Sequence, residues 1–349
     1  MSRSSSILRI SRTPAAPAFL ICALFAAALL APPPTAAADR VTIVLNWLPG
    51  GAHVPIYYAR DAGFYKKAGI EVEIRSSRGS REALSALGAG KAQFAITEAA
   101  ELFSRRADGL KPVGVMAYFN KSPNAVLALN GSGIRRIADL AGKRIAAPRS
   151  SLPRILFPRL AGEGKINLKE VHWVSLAPAE LMPALIAGKV DAVASSTMVA
   201  HQYRVAASKK GGALSVLPLA DAGVNIYSLV LAAPKAFITK KPGLAKSFVR
   251  ATAEGVAAAL ERPGVALKIF LKANPAAIRP RARAEWRVAH SLIYPLEARR
   301  SPLGRFERSR IEEMRKILTR IRNLRTVSSS IDVYSNELVP ALRPRPGAL

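Results

Sequence analysis

The chain has 349 residues, and its 52 lysines and arginines against 23 aspartates and glutamates give a formal net charge of +29. Its one cysteine lies at position 22, so the chain after residue 38 has no disulfide, thiol nucleophile or cysteine metal site. A chain of this length exceeds what one hydrophobic core usually serves, which predicts two lobes. The positive charge favours anionic ligands.

The first 38 residues have the pattern of an export signal. Arg3, Arg9 and Arg12 form a basic start, Ala18–Ala31 is apolar, and Ala36–Ala38 offers a small-residue cleavage site. The fourteen apolar residues are too few to span a bilayer, which needs about 20. We therefore expect a signal peptide of residues 1–38, cut after Ala38 on the Sec pathway, and a periplasmic product. An uncleaved anchor is the alternative.

From residue 39 to about 118, short apolar runs alternate with helical patterns. Strands are predicted at Val41–Leu45, Ile70–Ile74, Phe94–Ile96 and Val113–Tyr118, and helices at His53–Ala62, Ser80–Ala89 and Ala99–Ala107. This alternation predicts parallel pairing in an α/β sheet. Ligands of such sheets bind beyond the carboxyl ends of the strands. The loops that should meet there are residues 46–53, 76–80 and 97–98.

The alternation continues to about residue 233, and the rest of the chain is predicted to be helical. Further strands are predicted at Ala125–Leu129, Val171–Val174, Ala192–Ala194, Leu214–Leu217 and Ile226–Ala233. One helix is predicted to follow the stretch 147–153 and to reach Gly162. The later helices are predicted at Pro178–Ala187, Met198–Ser208, Pro242–Leu260, Val265–Asn274, Ala282–Tyr294 and Glu307–Ile321. The tail from Arg343 has no periodicity, and we expect it to be frayed.

The stretch after the first strand is the strongest candidate for a ligand site. Gly50 and Gly51 allow close backbone approach, and Pro55 suits an early helical position. Trp47 and His53 stand in this loop, where a ligand could stack on the indole and hydrogen-bond the imidazole. The alternative interpretation is a packed indole and a histidine that caps its helix.

The same stretch carries a resemblance to a known family. The sequence from Asn46 to Pro55, together with the phrase Gly63–Val72, resembles the periplasmic solute-binding proteins of ABC importers, of the nitrate/sulfonate/taurine and thiamine-pyrimidine type. The resemblance implies an α/β, two-lobed type II periplasmic binding protein fold. Each lobe would be a mostly parallel sheet flanked by helices, with the ligand in the cleft between the lobes.

The resemblance also implies how the chain divides. Lobe I would comprise residues 39–127 and residues 227–349, the latter with the C-terminal helices, and lobe II residues 128–226. The two crossovers between the lobes would act as a hinge, and ligand binding would favour the closed form.

Other candidate residues lie in loops that begin helices or join the lobes. Ser150, Ser151 and Arg154 combine a helix start, hydroxyls and a guanidinium, which suits an anionic group. Ser77 and Arg78 form a similar loop, for which an ordinary capped turn is the alternative. The candidate ligand-binding residues are Asn46, Trp47, His53, Ser77, Arg78, Thr97, Glu98, Asn124, Ser150, Ser151, Arg154, Thr197, Asn225 and Tyr227.

Two observations bear on the kind of ligand and on catalysis. Thiamine-pyrimidine binders, by the resemblance, place an acidic residue near Thr197, where this chain has hydroxyl residues; this favours a sulfonate, carboxylate or another neutral-to-anionic group. The alternative function is that of the fungal-type thiamine-pyrimidine synthases, which hold pyridoxal phosphate on a lysine and consume a histidine. The matching positions are Thr97 and Glu101, so we predict a binding protein with no cofactor rather than an enzyme.

The resemblance thus implies the substrate-binding component of an ABC importer. It would capture a small organic solute, anionic or heterocyclic, and deliver it to the membrane subunits of a permease. The four histidines show no metal spacing. We expect a monomer that does not bind nucleic acid, and we interpret the basic stretch of residues 279–325 as a solvated helical face.

Overall fold

The computed structural model describes residues 38–107, 110–149, 151–162, 166–322 and 333–348. The predicted signal peptide lies outside the described residues except for Ala38, and so does the candidate residue Ser150. Within the described ranges, none of the helices is both long and apolar enough to cross a membrane.

The described part of the chain forms ten strands, which are arranged in two sheets of five strands each. The strands are β1 (Asp39–Val44), β2 (Ile70–Arg75), β3 (Phe94–Glu98), β4 (Pro112–Ala117), β5 (Asn124–Leu129), β6 (Arg144–Ala146), β7 (His172–Val174), β8 (Ala192–Ser196), β9 (Leu214–Pro218) and β10 (Leu229–Pro234). In the strands β3, β4 and β5, nearly every residue is buried. Strands that are covered on both faces have such continuous apolar runs.

Within the residues that the structure describes, twelve α-helices flank the two sheets. They are α1 (Val54–Asp61), α2 (Phe64–Lys67), α3 (Ser80–Gly88), α4 (Ala99–Ala107), α5 (Leu152–Gly162), α6 (Pro178–Ile186), α7 (Ala200–Ser208), α8 (Lys235–Lys240), α9 (Pro242–Glu261), α10 (Pro263–Ala273), α11 (Arg279–Ile293) and α12 (Arg308–Arg322). The sequence predicted most of these elements to within a few residues.

The two sheets share one topology. The first has the strand order β2-β1-β3-β10-β4 and the second β7-β6-β8-β5-β9. Four strands of each sheet run in the same direction, whereas β10 in the first sheet and β5 in the second run antiparallel to both of their neighbours. Each of these two antiparallel strands is the first strand that the chain forms after it leaves the other sheet.

The chain passes from one sheet to the other twice, at residues 118–123 and at residues 219–228. The first change of sheet comes earlier than the predicted boundary between residues 127 and 128, because β5 pairs with β8 along residues 124–128. Helix α12 touches both passages: Arg310 Nη1 donates to Asn120 Oδ1 at 2.6 Å, and the Arg310 guanidinium lies 4.0 Å from the centre of the Tyr227 ring.

The C-terminal tail differs from the sequence expectation. The Gly347 N–H donates to the carbonyl of Leu260 at 2.9 Å, and Arg343 Nη1 donates to the carbonyls of Arg299 and Arg300 at 3.0 and 2.9 Å. The expectation of a frayed tail was wrong because an extended segment can dock through its backbone without any hydrophobic periodicity. Helices α2 and α8 were also not predicted.

We expect the contact between α9 and α1 to tolerate no added methyl group at Gly255. A Cβ at this position would lie 2.3 Å from the Cβ of Ala59, which is far inside van der Waals contact. Gly255→Ala should therefore lower the free energy of unfolding by about 1–3 kcal/mol, despite the better helix propensity of alanine.

The matched control for this prediction is Gly264→Ala, near the start of α10, where an added Cβ meets nothing within 4 Å. That variant should be neutral or slightly stabilising in urea unfolding. Equal stabilities of the two variants would contradict the close packing of α9 on α1.

Candidate ligand-binding site

A cavity of about 440 Å³ opens between the loops at the facing edges of the two sheets. The first sheet contributes the β1–α1 loop and the ends of β3 and β10, the second sheet contributes the turn after β8, and the start of α11 closes one side. The lining residues are Asn46, Trp47, Leu48, Pro49, Gly50, Ala52, His53, Glu98, Phe119, Pro123, Ser196, Met198, Val199, Ser228, Leu229, Ala276, Ala277, Ile278, Arg281, Ala282 and Glu285.

The β1–α1 loop lies directly against α11. The Gly51 N–H donates to Glu285 Oε2 at 2.9 Å. A Cβ at Gly51 would lie 2.3 Å from the backbone nitrogen of Trp286, so a side chain here would force the loop away from the helix. The predicted role of glycine in allowing close backbone approach at this position is therefore what the structure shows.

His53 is almost completely buried at the floor of the loop, with 2% of its surface exposed. Its Nδ1 accepts a hydrogen bond from the Gly50 N–H at 3.3 Å, and its Nε2 lies 2.9 Å from Asn46 Oδ1. An Nδ1 that accepts must be unprotonated, so Nε2 carries the proton and donates to Asn46. Burial lowers the pKa of His53 to about 4, which keeps the ring neutral.

The arrangement of His53 changes its predicted role. Both ring nitrogens are engaged within the protein, so the imidazole lines the cavity without a free polar atom to offer. Its effect is to fix the carboxamide oxygen of Asn46. Among the described residues, no partner is found for the Asn46 Nδ2 group, which leaves this donor for a ligand.

Glu98 ends β3 and places a carboxyl group in the cavity wall. Its Oε2 accepts a hydrogen bond from Ser228 Oγ at 3.0 Å, and its backbone N–H donates to Ser80 Oγ at 2.9 Å. Burial raises the pKa of Glu98 from 4.5 to about 7. Near neutral pH this carboxyl can therefore accept hydrogen bonds as a carboxylate or donate one as an acid.

The remaining wall is apolar except on the α11 side. Trp47 stands at the rim with 53% of its surface exposed, and Phe119 and Met198 lie deeper. On α11, Arg281 Nε donates to Glu285 Oε1 at 2.7 Å. The cavity thus combines aromatic and aliphatic surface with two carboxyl groups and one guanidinium, which is less cationic than the net charge of the chain suggested.

The structure brings four of the predicted residues together at the cavity: Asn46, Trp47, His53 and Glu98. The others that it describes lie outside the lining. Ser77 Oγ donates to the carbonyl of Leu45 at 2.7 Å and so holds its own loop, and the exposed Arg78 donates its backbone N–H to Glu82. Thr97 is fully buried within β3.

The candidates near the passages between the sheets have structural partners. The Oδ1 of Asn225 accepts from the Ser122 N–H at 3.0 Å, and Asn124 Nδ2 donates to Ser122 Oγ at 2.6 Å. The hydroxyl of Tyr227 accepts from the Glu307 N–H at 2.8 Å. These residues tie the passages together instead of lining the cavity.

The predicted anion site on the second lobe is not part of the cavity wall. Arg154 Nη1 donates to Ser175 Oγ at 2.9 Å, and its guanidinium lies 4.8 Å from the centre of the Trp173 ring. Ser151 Oγ is buried without a partner among the described residues, and so is Thr197 Oγ1. Stacking on Trp173 gives Arg154 a structural explanation; a role in binding an anion remains a prediction.

Sequence reasoning missed the α11 side of the cavity and two serines. Ser196, and not the predicted neighbour Thr197, lines the cavity. Ser228 also lines it and donates a hydrogen bond to Glu98. Glu285 lies 234 positions beyond Gly51, to which it is hydrogen-bonded, and Arg281 precedes Glu285 by one helical turn. No local pattern marks such a pairing.

Comparison with known proteins identifies a family that this chain matches. The family described as NMT1/THI5 like matches residues 51–266. The formylaminopyrimidine-binding protein of Halalkalibacterium halodurans is 24% identical over 284 residues, which are 81% of this chain and 84% of that protein. A 4-amino-5-hydroxymethyl-2-methylpyrimidine phosphate synthase of Saccharomyces cerevisiae is 25% identical over 260 residues, 68% of this chain and 72% of that one.

A solved structure gives the fold. The periplasmic aliphatic sulphonate binding protein SsuA from Escherichia coli superposes with a TM-score of 0.64 at 16% identity, covering 84% of this chain and 96% of that chain. At this identity the likeness shows the fold alone. The predicted fold class, an α/β periplasmic binding protein fold with two sheets, is confirmed.

The protonation of Glu98 and of His53 should affect the stability of the ligand-free protein in opposite directions. Burial raises the pKa of Glu98 to about 7, so the stability that its protonated form contributes is lost as the pH rises from 4.5 to 7. Burial lowers the pKa of His53 to about 4, so stability is lost as the pH falls from 6.5 to 4.

Urea unfolding at pH 5, 6 and 7 separates the two contributions. Relative to the wild type, Glu98→Gln should gain about 1–2 kcal/mol in unfolding free energy between pH 5 and pH 7, and His53→Gln should lose a similar amount. Each variant serves as the control for the other. Parallel pH profiles for the wild type and both variants would show that neither group titrates in this window.

Proposed function

The chain belongs to the NMT1/THI5-like family, and we propose that it is the solute-binding component of an ABC importer. The observation that carries this proposal is the cavity between the two sheets, whose wall combines an exposed tryptophan with buried polar groups that converge from separate elements. Clefts of this kind, at the carboxyl ends of strands, are where α/β folds bind small molecules.

We infer a binding protein and not a pyridoxal phosphate enzyme from the residues of the cavity wall. No lysine is among the lining residues, so the wall offers no amine for a Schiff base with the cofactor. Thr97, at the position where the resemblance expects that lysine, is fully buried in β3 and paired with Val230. The relatives named as synthases make this distinction necessary.

The cavity favours a flat heterocycle with amino groups over a simple sulfonate. Glu98 and Asn46 present one acceptor-rich carboxyl group and one free amide donor, which together match the alternating edge of an aminopyrimidine. Trp47 and Phe119 supply surface on which such a ring can stack. The relative that binds formylaminopyrimidine supports the same class of ligand.

We propose that the two passages between the sheets, residues 118–123 and 219–228, act as the hinge of the cleft. Lobe I would be built on the first sheet and lobe II on the second. Arg310 of α12 contacts both passages, through Asn120 and Tyr227, and would keep them together as the lobes move. Closure over the ligand would then present one face to the permease, with the protein acting as a periplasmic monomer.

The first experiment separates binding from catalysis. A panel of aminopyrimidines, sulfonates and carboxylates is tested for a rise in Tm, and the compound is then recovered and analysed by mass spectrometry. We expect an aminopyrimidine at 100 times its Kd to add about 2.7 kcal/mol to the unfolding free energy and to be recovered unchanged. A converted compound, or stoichiometric absorbance from bound pyridoxal phosphate, would contradict the proposal.

Trp47 should contribute to binding but not to folding. Because it stands at the cavity rim with 53% of its surface exposed, Trp47→Ala should weaken binding of that aminopyrimidine by about 1–3 kcal/mol in calorimetry while leaving Tm nearly unchanged. Leu296→Ala, also exposed but outside the cavity lining, is the control. Equal affinities for both variants would place the stacking surface elsewhere.

A further inference from the structure

The side of the cavity formed by α11 lies outside the segment that the family match covers. The match ends at residue 266, whereas Ala276, Ala277, Ile278, Arg281, Ala282 and Glu285 all line the cavity. Three of these residues are small alanines, and so Arg281 and Glu285 are the polar groups that this side can present to a ligand.

Glu285 holds the guanidinium of Arg281 in a defined orientation. The Glu285 side chain is 12% exposed, and its two oxygens accept from the Gly51 N–H at 2.9 Å and from Arg281 Nε at 2.7 Å. The hydrogen bond to the β1–α1 loop thus fixes the carboxylate that binds Arg281. This is the arrangement by which a buried partner positions a charged side chain for a ligand.

The contact with Glu285 uses only the Nε side of the guanidinium. Among the described residues, neither Nη group of Arg281 has a hydrogen-bond partner, and the side chain is half exposed where it lines the cavity. The pair of Nη groups has the spacing that binds two oxygens, or one carbonyl oxygen, in a plane. A free pair of this kind beside an apolar wall is suited to an oxygen-bearing ligand group.

The opposite polarity is found at the end of β3. The carboxyl group of Glu98 accepts from Ser228, and no ion pair of Glu98 is found among the described residues. The cavity therefore has a hydrogen-bond acceptor on the β3 side and a free double donor on the α11 side. Apolar side chains, among them Phe119 and Met198, line the cavity as well.

We propose that Arg281 is a specificity-determining residue. It selects solutes whose ring carries both an amino group, which faces Glu98, and a carboxylate or carbonyl group, which Arg281 binds. The ligand is then a bipolar aminoheterocycle instead of a simple amine or a simple anion. This inference rests on the proposed solute-binding function and names the ligand class more closely.

The test uses two probes that differ only in the oxygen-bearing group. They are 4-amino-2-methylpyrimidine-5-carboxylate and 4-amino-2,5-dimethylpyrimidine, whose dissociation constants are measured by calorimetry. The wild type should prefer the carboxylate by about 10- to 100-fold, because a charge-assisted hydrogen bond is worth that factor. Arg281→Gln should reduce the preference to about twofold or less, with little change in affinity for the dimethyl probe.

Two further variants separate recognition from a structural effect. Arg281→Lys keeps the charge but not the planar pair of donors and should retain only part of the preference. Arg283→Gln, exposed on the same helix and outside the cavity lining, should retain all of it.

The outcomes distinguish this inference from the proposed function. If the dimethyl probe binds but the wild type shows no preference, or if Arg281→Gln keeps the preference, the role of Arg281 is wrong and the solute-binding function stands. If a sulfonate binds and neither pyrimidine does, the bipolar ligand is wrong and the importer function stands. If no compound of the panel binds, or one is converted, both are overturned.

Discussion

The close approach of the β1–α1 loop to α11 is the constraint on which the cavity depends. Gly51 lies so near the backbone of Trp286 that only a hydrogen atom fits between them. This contact brings Glu285 within reach of the Gly51 N–H and sets the distance between the loop that carries Trp47 and the helix that carries Arg281. Two segments remote in sequence thereby become adjoining walls of one cleft.

Apart from the ion pair between Arg281 and Glu285, the polar groups of the cavity do not neutralise one another. His53 is kept neutral by burial and turns its proton toward Asn46, while Glu98 is supported by a serine hydroxyl and not by a cation. Arg281 and Glu285 form the one ion pair at the cavity among the described residues, and it leaves two Nη groups without a partner. Desolvated groups whose hydrogen bonds are only partly satisfied favour a ligand that completes them.

The sequence predicted the fold more fully than the site, for a physical reason. Strands such as β3 and β4 are marked by continuous apolar runs, and the helix α1 by Pro55 after two glycines, so local pattern and packing agree. The residues of the β1–α1 loop and Glu98 were found by the same reasoning, because strand ends gather at one edge of a parallel sheet. For Arg154, its position at a helix start did not reveal Trp173 as a stacking partner, and its predicted role in binding an anion stays a prediction.

The position of β10 has a consequence for the order in which the chain can fold. The second sheet is complete once residue 218 has been made, because its five strands are contiguous in sequence. The first sheet is incomplete until β10 has been made, because β10 lies between β3 and β4, and β4 pairs with no other strand of the ten. A nascent chain that stops before Leu229 therefore contains a finished sheet beside a split one, with the apolar edges of β3 and β4 open to pairing with another molecule. Synthesis of the last six-residue strand closes both edges at once.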